Sequence, residues 1–371
     1  MANRPRPTSL NFLVLPGDGI GPEVVAQGVR LLEFLADRHS LDIRVSHDLI
    51  GGQCWDEHGT FCLDETVSTA KASDGVLVGA VGGPQWDNQE ISGTPAEKDG
   101  LMRLRQELDA YAGLRPSRAY NGLLQRTPFR PEVVQGSDIL VLREMCGGCF
   151  YGEPRGIREC PDGSRDGFDN YLYNSAEVER FARTGFELAR QRHGRVASLD
   201  KSNVMENNML WRECVSDIGT EYPDVELTHY YADNGFYQMM MRPNSFDVVM
   251  CDNLFGDLAS DIAATVSGSL GMLPSACLPG FSADRADIGP GIYEPVHGSA
   301  PDIAGQGIAN PIGTLLSVAM MLEFAAGRSD LARSIETAID TTLAQGHLTM
   351  DLGGSLGTEA LTSRIMQALS G

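Results

Sequence analysis

Basic residues are scarce in this chain. Lys and Arg number 29 against 50 Asp and Glu, a net charge of −21. That balance excludes nucleic acid and an anionic membrane surface as partners. It also means that an anionic substrate would need a local basic pocket. No apolar run approaches the ~18 residues of a membrane-spanning helix. The opening MANRPRPTSLNF carries two Arg with no apolar core behind them, so no secretory leader is expected. Cysteine is sparse, eight in 371 residues, too few for a disulfide scaffold, and reduced thiols in a cytoplasm are expected. There is no internal repeat and no low-complexity linker, so composition marks no domain boundary. What remains, 42% apolar and 21% charged residues, is an ordinary globular composition with length enough for a large core, and two domains are expected by size alone.

The most informative stretch is Phe246–Asp261, FDVVMCDNLFGDLASD. Asp247–Cys251 is a short apolar run with two β-branched residues and reads as a buried strand. Asp252 and Asn253 follow as turn or N-cap residues, after which Leu254, Leu258 and Ile262 have helical spacing. Asp257 and Asp261 then lie one turn apart on one helix face. Two like charges there repel, and neither has an obvious Lys or Arg partner nearby in sequence. A hard divalent cation such as Mg²⁺ or Mn²⁺ would satisfy both. The competing reading is two solvated carboxylates on an exposed face.

Elsewhere strands alternate with amphipathic helices. Leu10–Leu15 is a strand candidate that runs through Pro16-Gly-Asp-Gly-Ile-Gly-Pro22 into a helix. The glycine spacing is G-x-G-x-G rather than the dinucleotide fingerprint, and tight packing is the simpler reading. Gly75–Val81 is another buried strand. Asn174 is placed to cap a helix running to about His193, followed by a strand over Arg195–Leu199. Ile312–Phe324 is almost wholly apolar and must be buried in the core or in a subunit interface. The alternation predicts an α/β protein with a largely parallel, covered sheet.

Arg103, Arg105, Arg115, Arg118, Arg126, Arg130 and Arg143 concentrate in one part of the acidic chain. Most read as surface ion pairs. Arg143 stands apart because it directly follows the apolar run Ile139–Leu142, and strand ends in α/β folds face the ligand crevice. Cys146-Gly-Gly-Cys149 has the C-x-x-C form, but no second pair completes a zinc site. Lys201, after the strand Val196–Leu199, is placed to shuttle a proton if burial or a metal lowers its pKa. Glu294–Gly307 is a long Gly- and Pro-rich loop of the functional kind. Its His297, Ser299 and glycines could wrap a nucleotide, with Asp302 accepting from an adenosine ribose and repelling a 2′-phosphate.

Taken together, Leu15-Pro-Gly-Asp-Gly-Ile-Gly-Pro-Glu23, Gly82-Gly-Pro, Leu114-Arg-Pro116, Arg143-Glu144, Asp200-Lys-x-Asn203, Asn253-x-Phe-Gly-Asp257-x-x-x-Asp261, Glu294-Pro-Val-His-Gly-Ser-Ala-Pro-Asp302-Ile-Ala-Gly305 and Ile308-Ala-Asn-Pro311 resemble the β-decarboxylating dehydrogenases, in order and over nearly the whole chain. Phe150-Tyr-Gly-Glu-Pro-Arg155, Val81-Gly-Gly-Pro-Gln-Trp86 and the Asp351–Ala360 segment point to the isopropylmalate branch. The resemblance implies a two-domain α/β fold with a mixed, largely parallel sheet that is not a true Rossmann fold. Residues 1–110 with 268–371 would form the cofactor domain, and 111–267 the central domain with dimer interface and arm. It also implies a homodimer with shared active sites, NAD, and Mg²⁺ or Mn²⁺. Arg105, Arg115 and Arg143 would bind the carboxylates of a dicarboxylate substrate, with Leu101 and Met102 lining its alkyl pocket. Asp257 and Asp261 would hold the metal with Asp233 of the partner subunit, which would also lend Lys201 for proton transfer. His297, Gly298, Ser299, Ala300, Asp302, Ile303 and Asn310 would hold NAD.

The implied reaction is oxidative decarboxylation of a 3-alkylmalate, (2R,3S)-3-isopropylmalate to 4-methyl-2-oxopentanoate in leucine biosynthesis. Two departures leave alternatives open. Where the branch carries a proton-donating Tyr followed by Phe, this chain has Phe150 and then Tyr151; in a strand the two would face opposite sides. Tyr237, after Asp233-Asn-Gly-Phe, offers another hydroxyl. A paralogue acting on a different 3-substituted malate, or a weakly active binding or regulatory subunit, therefore stands beside the leucine-pathway reading.

Overall fold

In the computed structural model, which describes residues 9–87, 89, 100–281 and 289–370, ten strands form one mixed sheet with helices on both faces. The strands are β1 Leu10–Gly17, β2 Ile43–His47, β3 Gly75–Ala80, β4 Ala112–Arg118, β5 Asp138–Glu144, β8 Arg195–Asp200, β9 Glu226–Tyr231, β10 Val248–Cys251, β11 Pro274–Leu278 and β12 Gly291–Pro295. A separate hairpin joins β6 Gly156–Glu159 to β7 Arg165–Phe168. The sheet order is β2-β1-β3-β12-β11-β4-β5-β10-β8-β9. Both flanks, β2-β1-β3-β12 and β5-β10-β8-β9, are parallel within themselves. The central β12-β11-β4-β5 ladder is antiparallel, and it joins the two flanks into one sheet.

The inner strands β1, β3, β5 and β10 read as near-continuous apolar runs because both faces are covered, while the edge strands β2 and β9 are partly exposed. On β1, Phe12 and Val14 join one buried cluster while Leu13 and Leu15 join another, the period-2 alternation of a strand between two helical layers. On β5, Leu140 and Leu142 face one layer, Ile139 and Val141 the other. The apolar segment Ile312–Phe324 is a helix that buries ten of its 13 residues. It packs on the helix Gly21–His39, where Gly28 leaves room for Thr314 and Val318. The helix after Asn174 spans Ser175–Arg190, three residues short of the expected end, and Asn174 and Glu177 form a reciprocal capping box.

The glycine-rich turn after β1 has a structural use. Gly17 and Gly19 have positive φ, and a Cβ on either would meet a carbonyl oxygen, of Ala80 and of Ser299 respectively. Buried Asp18 accepts from the N–H of Gly52 at 2.8 Å, Gly82 at 2.7 Å and Gln53 at 3.0 Å. The turn's own amides are spent on backbone carbonyls, Asp18 N–H on Ala80, Ile20 N–H on Ser299 and Gly21 N–H on Asp18, and are not free for a pyrophosphate as those of a Rossmann turn are.

Candidate active site

The site begins at the carboxyl ends of the central strands. Arg143 is the penultimate residue of β5 and Arg115 lies in mid-β4; both are buried. The helix Asn253–Ser267 starts immediately after β10, and Asp252 caps it by accepting from Phe255 N–H at 2.9 Å. Gly256, one turn in, lies against Arg143: a Cβ there would come within 2.6 Å of the arginine side chain. The close approach brings Arg143 into an ion pair with Asp257. Arg143 Nε also donates to Asn253 Oδ1 at 2.9 Å. Arg115 stands 3.7 Å from Asp257 and donates to Ser260 Oγ at 2.7 Å.

Asp257 thus has two arginine partners, neither of them near it in sequence. Both lie over 100 residues away in the chain and meet it only through the sheet. Asp261, one turn on, is exposed, and its carboxyl is raised by partial burial and by the charge of Asp257. Burial, with the positive charge of Arg115 adding to it, lowers Arg143 to about 10, so it remains a cation at neutral pH.

Arg105, on the helix Leu101–Glu107, donates to the buried Glu294 of β12 at 2.6 Å. Leu101 on the same helix is buried, and the Met102 carbonyl accepts from the Tyr151 hydroxyl at 3.3 Å. Gly148–Phe150 is a 3₁₀ turn and not a strand. The two aromatics still diverge. Phe150 places its ring 5.6 Å from the Arg143 guanidinium, a cation–π contact, while Tyr151 reaches the Leu101–Glu107 helix. Backbone packing explains the glycines of the C-x-x-C motif, since a Cβ on Gly147 or Gly148 would strike Tyr173. Of the remaining arginines, Arg103, Arg118 and Arg130 pair with Asp64, Asp340 and Glu132, and Arg126 donates to the carbonyls of Leu352 and Gly353.

Lys201, just past β8, donates to Asp233 at 2.5 Å, and its ammonium holds that carboxyl below the usual range. Asp233 opens the helix Ala232–Met241, on which Tyr237 lies one turn later and is 57% exposed. This helix packs on the Asp257 helix through an edge-on Phe236–Phe255 pair, centroids 6.4 Å apart.

The long loop after β12 lies against the glycine-rich turn, where Ile20 N–H donates to the Ser299 carbonyl at 2.8 Å. Ala300 and Ile303 pack with Ile20, Val24 and Ala309, which anchors the loop at its base. His297 Nδ1 is 2.9 Å from the Gly298 carbonyl, while its buried Nε2 has no hydrogen-bond partner. Burial lowers the imidazole pKa, so the ring is neutral at pH 7. Asp302 is exposed, and a Cβ on Gly298, Gly305 or Gly307 would enter open space. Asn310 is buried and donates to Asp351 at 3.0 Å. Sequence reasoning gave Ser260 no role, read Asn253 only as a turn or N-cap residue and Glu294 only as the start of the long loop; Ser260 carried one local signal, its spacing of three from Asp257.

The isocitrate/isopropylmalate dehydrogenase family matches residues 11–369. The chain is 45% identical over 365 residues to a 3-isopropylmalate dehydrogenase of Pseudomonas fluorescens, covering 97% of this chain and 99% of that protein. It is 46% identical over 357 residues to the 3-isopropylmalate dehydrogenase of Hydrogenovibrio crunogenus, covering 96% and 98%. Among solved structures, an isocitrate dehydrogenase from Methylococcus capsulatus superposes with a TM-score of 0.84 at 29% identity, covering 98% of this chain and all of that one. A β-decarboxylating dehydrogenase from Thermococcus kodakarensis gives 0.74 at 30% identity, covering 97% and 96%.

Proposed function

The chain belongs to the isocitrate/isopropylmalate dehydrogenase family, and on that premise we propose that it oxidatively decarboxylates 3-isopropylmalate to 4-methyl-2-oxopentanoate, with NAD and Mg²⁺ or Mn²⁺. The observation that carries the reading is the buried Arg115–Arg143 pair converging on Asp257, with Asp261 one turn beyond. Two arginines in a chain of net charge −21 form the local basic pocket that a dicarboxylate needs.

The residues present fit both groups. Asp257 and Asp261 are hard oxygen donors whose mutual repulsion a divalent ion would relieve. For NAD, the unpartnered His297 Nε2 and the open glycines of the loop make a cradle with a free polar atom, and Asp302 favours a ribose 2′-hydroxyl over a 2′-phosphate. When bound, the ion would polarise the substrate's 2-hydroxyl and the nicotinamide would accept hydride.

The chain's own groups do the rest. Arg105, Arg115 and Arg143 orient the two carboxylates, while Leu101 and Met102 face the alkyl group. Lys201 takes the hydroxyl proton in its neutral amine form, after its ammonium has released a proton to solvent, and so becomes an ammonium that can give one back. Loss of CO₂ from the resulting β-carboxylated 2-oxo acid leaves an enolate, which an acid must protonate at C3. Phe150 has no hydroxyl to give, so Tyr237 and Lys201 are the candidate donors.

The active site is shared between two copies of the chain. Asp233 is 71% exposed at the side chain and Lys201 pairs with it, which supports their reaching the site of the partner subunit. Tyr237, Met240, Met241 and Leu258 expose apolar surface on the two adjacent helices, as do Ile157 and Phe168 on the β6–β7 arm, as a dimer contact requires. We also propose a division into residues 1–110 with 268–371 and 111–267, and action in the cytoplasm.

The test is NADH formation on 3-isopropylmalate beside malate, tartrate, isocitrate and 3-benzylmalate. Turnover concentrated on isopropylmalate supports the reading. The Phe150–Tyr151 exchange favours one second reading, a paralogue for another 3-substituted malate, and preference for a different panel member would establish it. Silence on every substrate, with NAD still bound, would leave a binding subunit.

A further inference from the structure

Asn208 lies on the helix Glu206–Gly219 and is completely buried. Its side chain joins two segments that the reaction uses separately. Oδ1 accepts from the backbone N–H of Lys201 at 2.6 Å. Nδ2 donates to Asp252 Oδ2 at 3.3 Å, and the other oxygen of Asp252 caps the helix that carries Asp257 and Asp261. The polarity of the two partners permits one amide orientation: an N–H needs the oxygen, and a carboxylate needs the NH₂. A carboxylate at this position would serve the Lys201 N–H but would set a second negative charge against Asp252. An aliphatic side chain would serve neither.

We propose that Asn208 is a positioning residue that sets the Lys201 turn and the Asp257/Asp261 helix relative to each other through one amide. The proposal rests on the shared-site reading above and adds a consequence to it. In a shared site, one chain's Lys201 works with its partner's Asp257, while its own Asp257 works with the partner's Lys201. Asn208 therefore holds the proton-transfer arm of one active site and the metal arm of the other. Its removal must act differently on the two sites.

A heterodimer with one live site separates these effects. One chain carries Lys201→Ala and the other Asp257→Asn, each inactive as a homodimer, with two affinity tags to purify the mixed species. The live site takes Lys201 from the Asp257→Asn chain and Asp257 from the Lys201→Ala chain. Asn208→Ala in the chain that supplies Lys201 lowers kcat by about 10–100-fold and leaves the Mn²⁺ KM within about threefold, because that chain's metal ligand, Asp233, stands on a separate helix, Ala232–Met241, that Asn208 does not hold. The same substitution in the chain that supplies Asp257 raises the Mn²⁺ KM by about tenfold with little change in kcat. A loss of packing alone would act alike in either chain, and equal effects, or none, overturn the proposal. Asn208→Asp keeps the acceptor for Lys201 N–H, so it reproduces only the metal-arm effect; a kcat loss from the Lys201-supplying chain would overturn the proposal. That variant carries the test if Asn208→Ala does not fold. Failure of the two inactive chains to complement overturns the shared-site reading itself, and the proposal with it.

Discussion

Glu144 follows Arg143 at the end of β5 and is 2% exposed. Its two oxygens accept from the N–H groups of Cys146 at 2.9 Å and Gly147 at 2.8 Å, and the Tyr173 hydroxyl bonds the same carboxyl. Burial outweighs these bonds and raises the carboxyl from 4.5 to about 7. The folded chain therefore binds this proton more tightly than the unfolded chain does. The stability it contributes is complete below pH 4.5 and is lost as pH rises to about 7. The size of the effect is about 3 kcal/mol. Glu144→Gln removes the titration, and its NH₂ faces one of the two backbone N–H groups at a pH-independent cost of about 1–3 kcal/mol. Equilibrium urea denaturation of both proteins, at one fixed chain concentration because association adds to stability, should show the wild-type advantage shrinking by about 3 kcal/mol between about pH 4.5 and 7.5. A difference between the two that stays constant over this range would refute the reasoning. The site would feel the same proton, because the Tyr173 oxygen also accepts from Asn253 N–H, and Asn253 holds Arg143.

Phe150→Tyr places a hydroxyl beside Arg143 and should raise the rate of 4-methyl-2-oxopentanoate formation by about the 10²–10⁴-fold worth of a general acid; an unchanged rate, with activity lost in Tyr237→Phe, would move the acid role to Tyr237. Gly19→Ala puts a Cβ within 1.9 Å of the Ser299 carbonyl at a φ of +59°, so NAD KM should rise and Tm should fall, with strain of about 1–3 kcal/mol. Chelation should abolish NADH formation, with Mg²⁺ or Mn²⁺ restoring it to the wild type and not to Asp257→Asn.

Much of the architecture is local and was legible as such. Apolar runs such as Val248–Cys251 are strands because no other conformation buries both faces of so short a segment, and Asn174 and Asp252 cap helices through bonds to the third residue on. The local placement of the candidate residues was legible too, since Arg143 lies at the end of a buried strand and Asp257 and Asp261 lie one turn apart on one helix. Tertiary structure decided what those residues touch. The pairing of Asp257 with Arg115 and Arg143 depends on β4, β5 and β10 lying side by side, and on Gly256 lacking a side chain. Glu294 meets Arg105 across 189 positions, and Asn208 meets Asp252 across 44. No spacing rule reaches that far, because such contacts are set by strand order, which depends on how all the apolar faces are buried together.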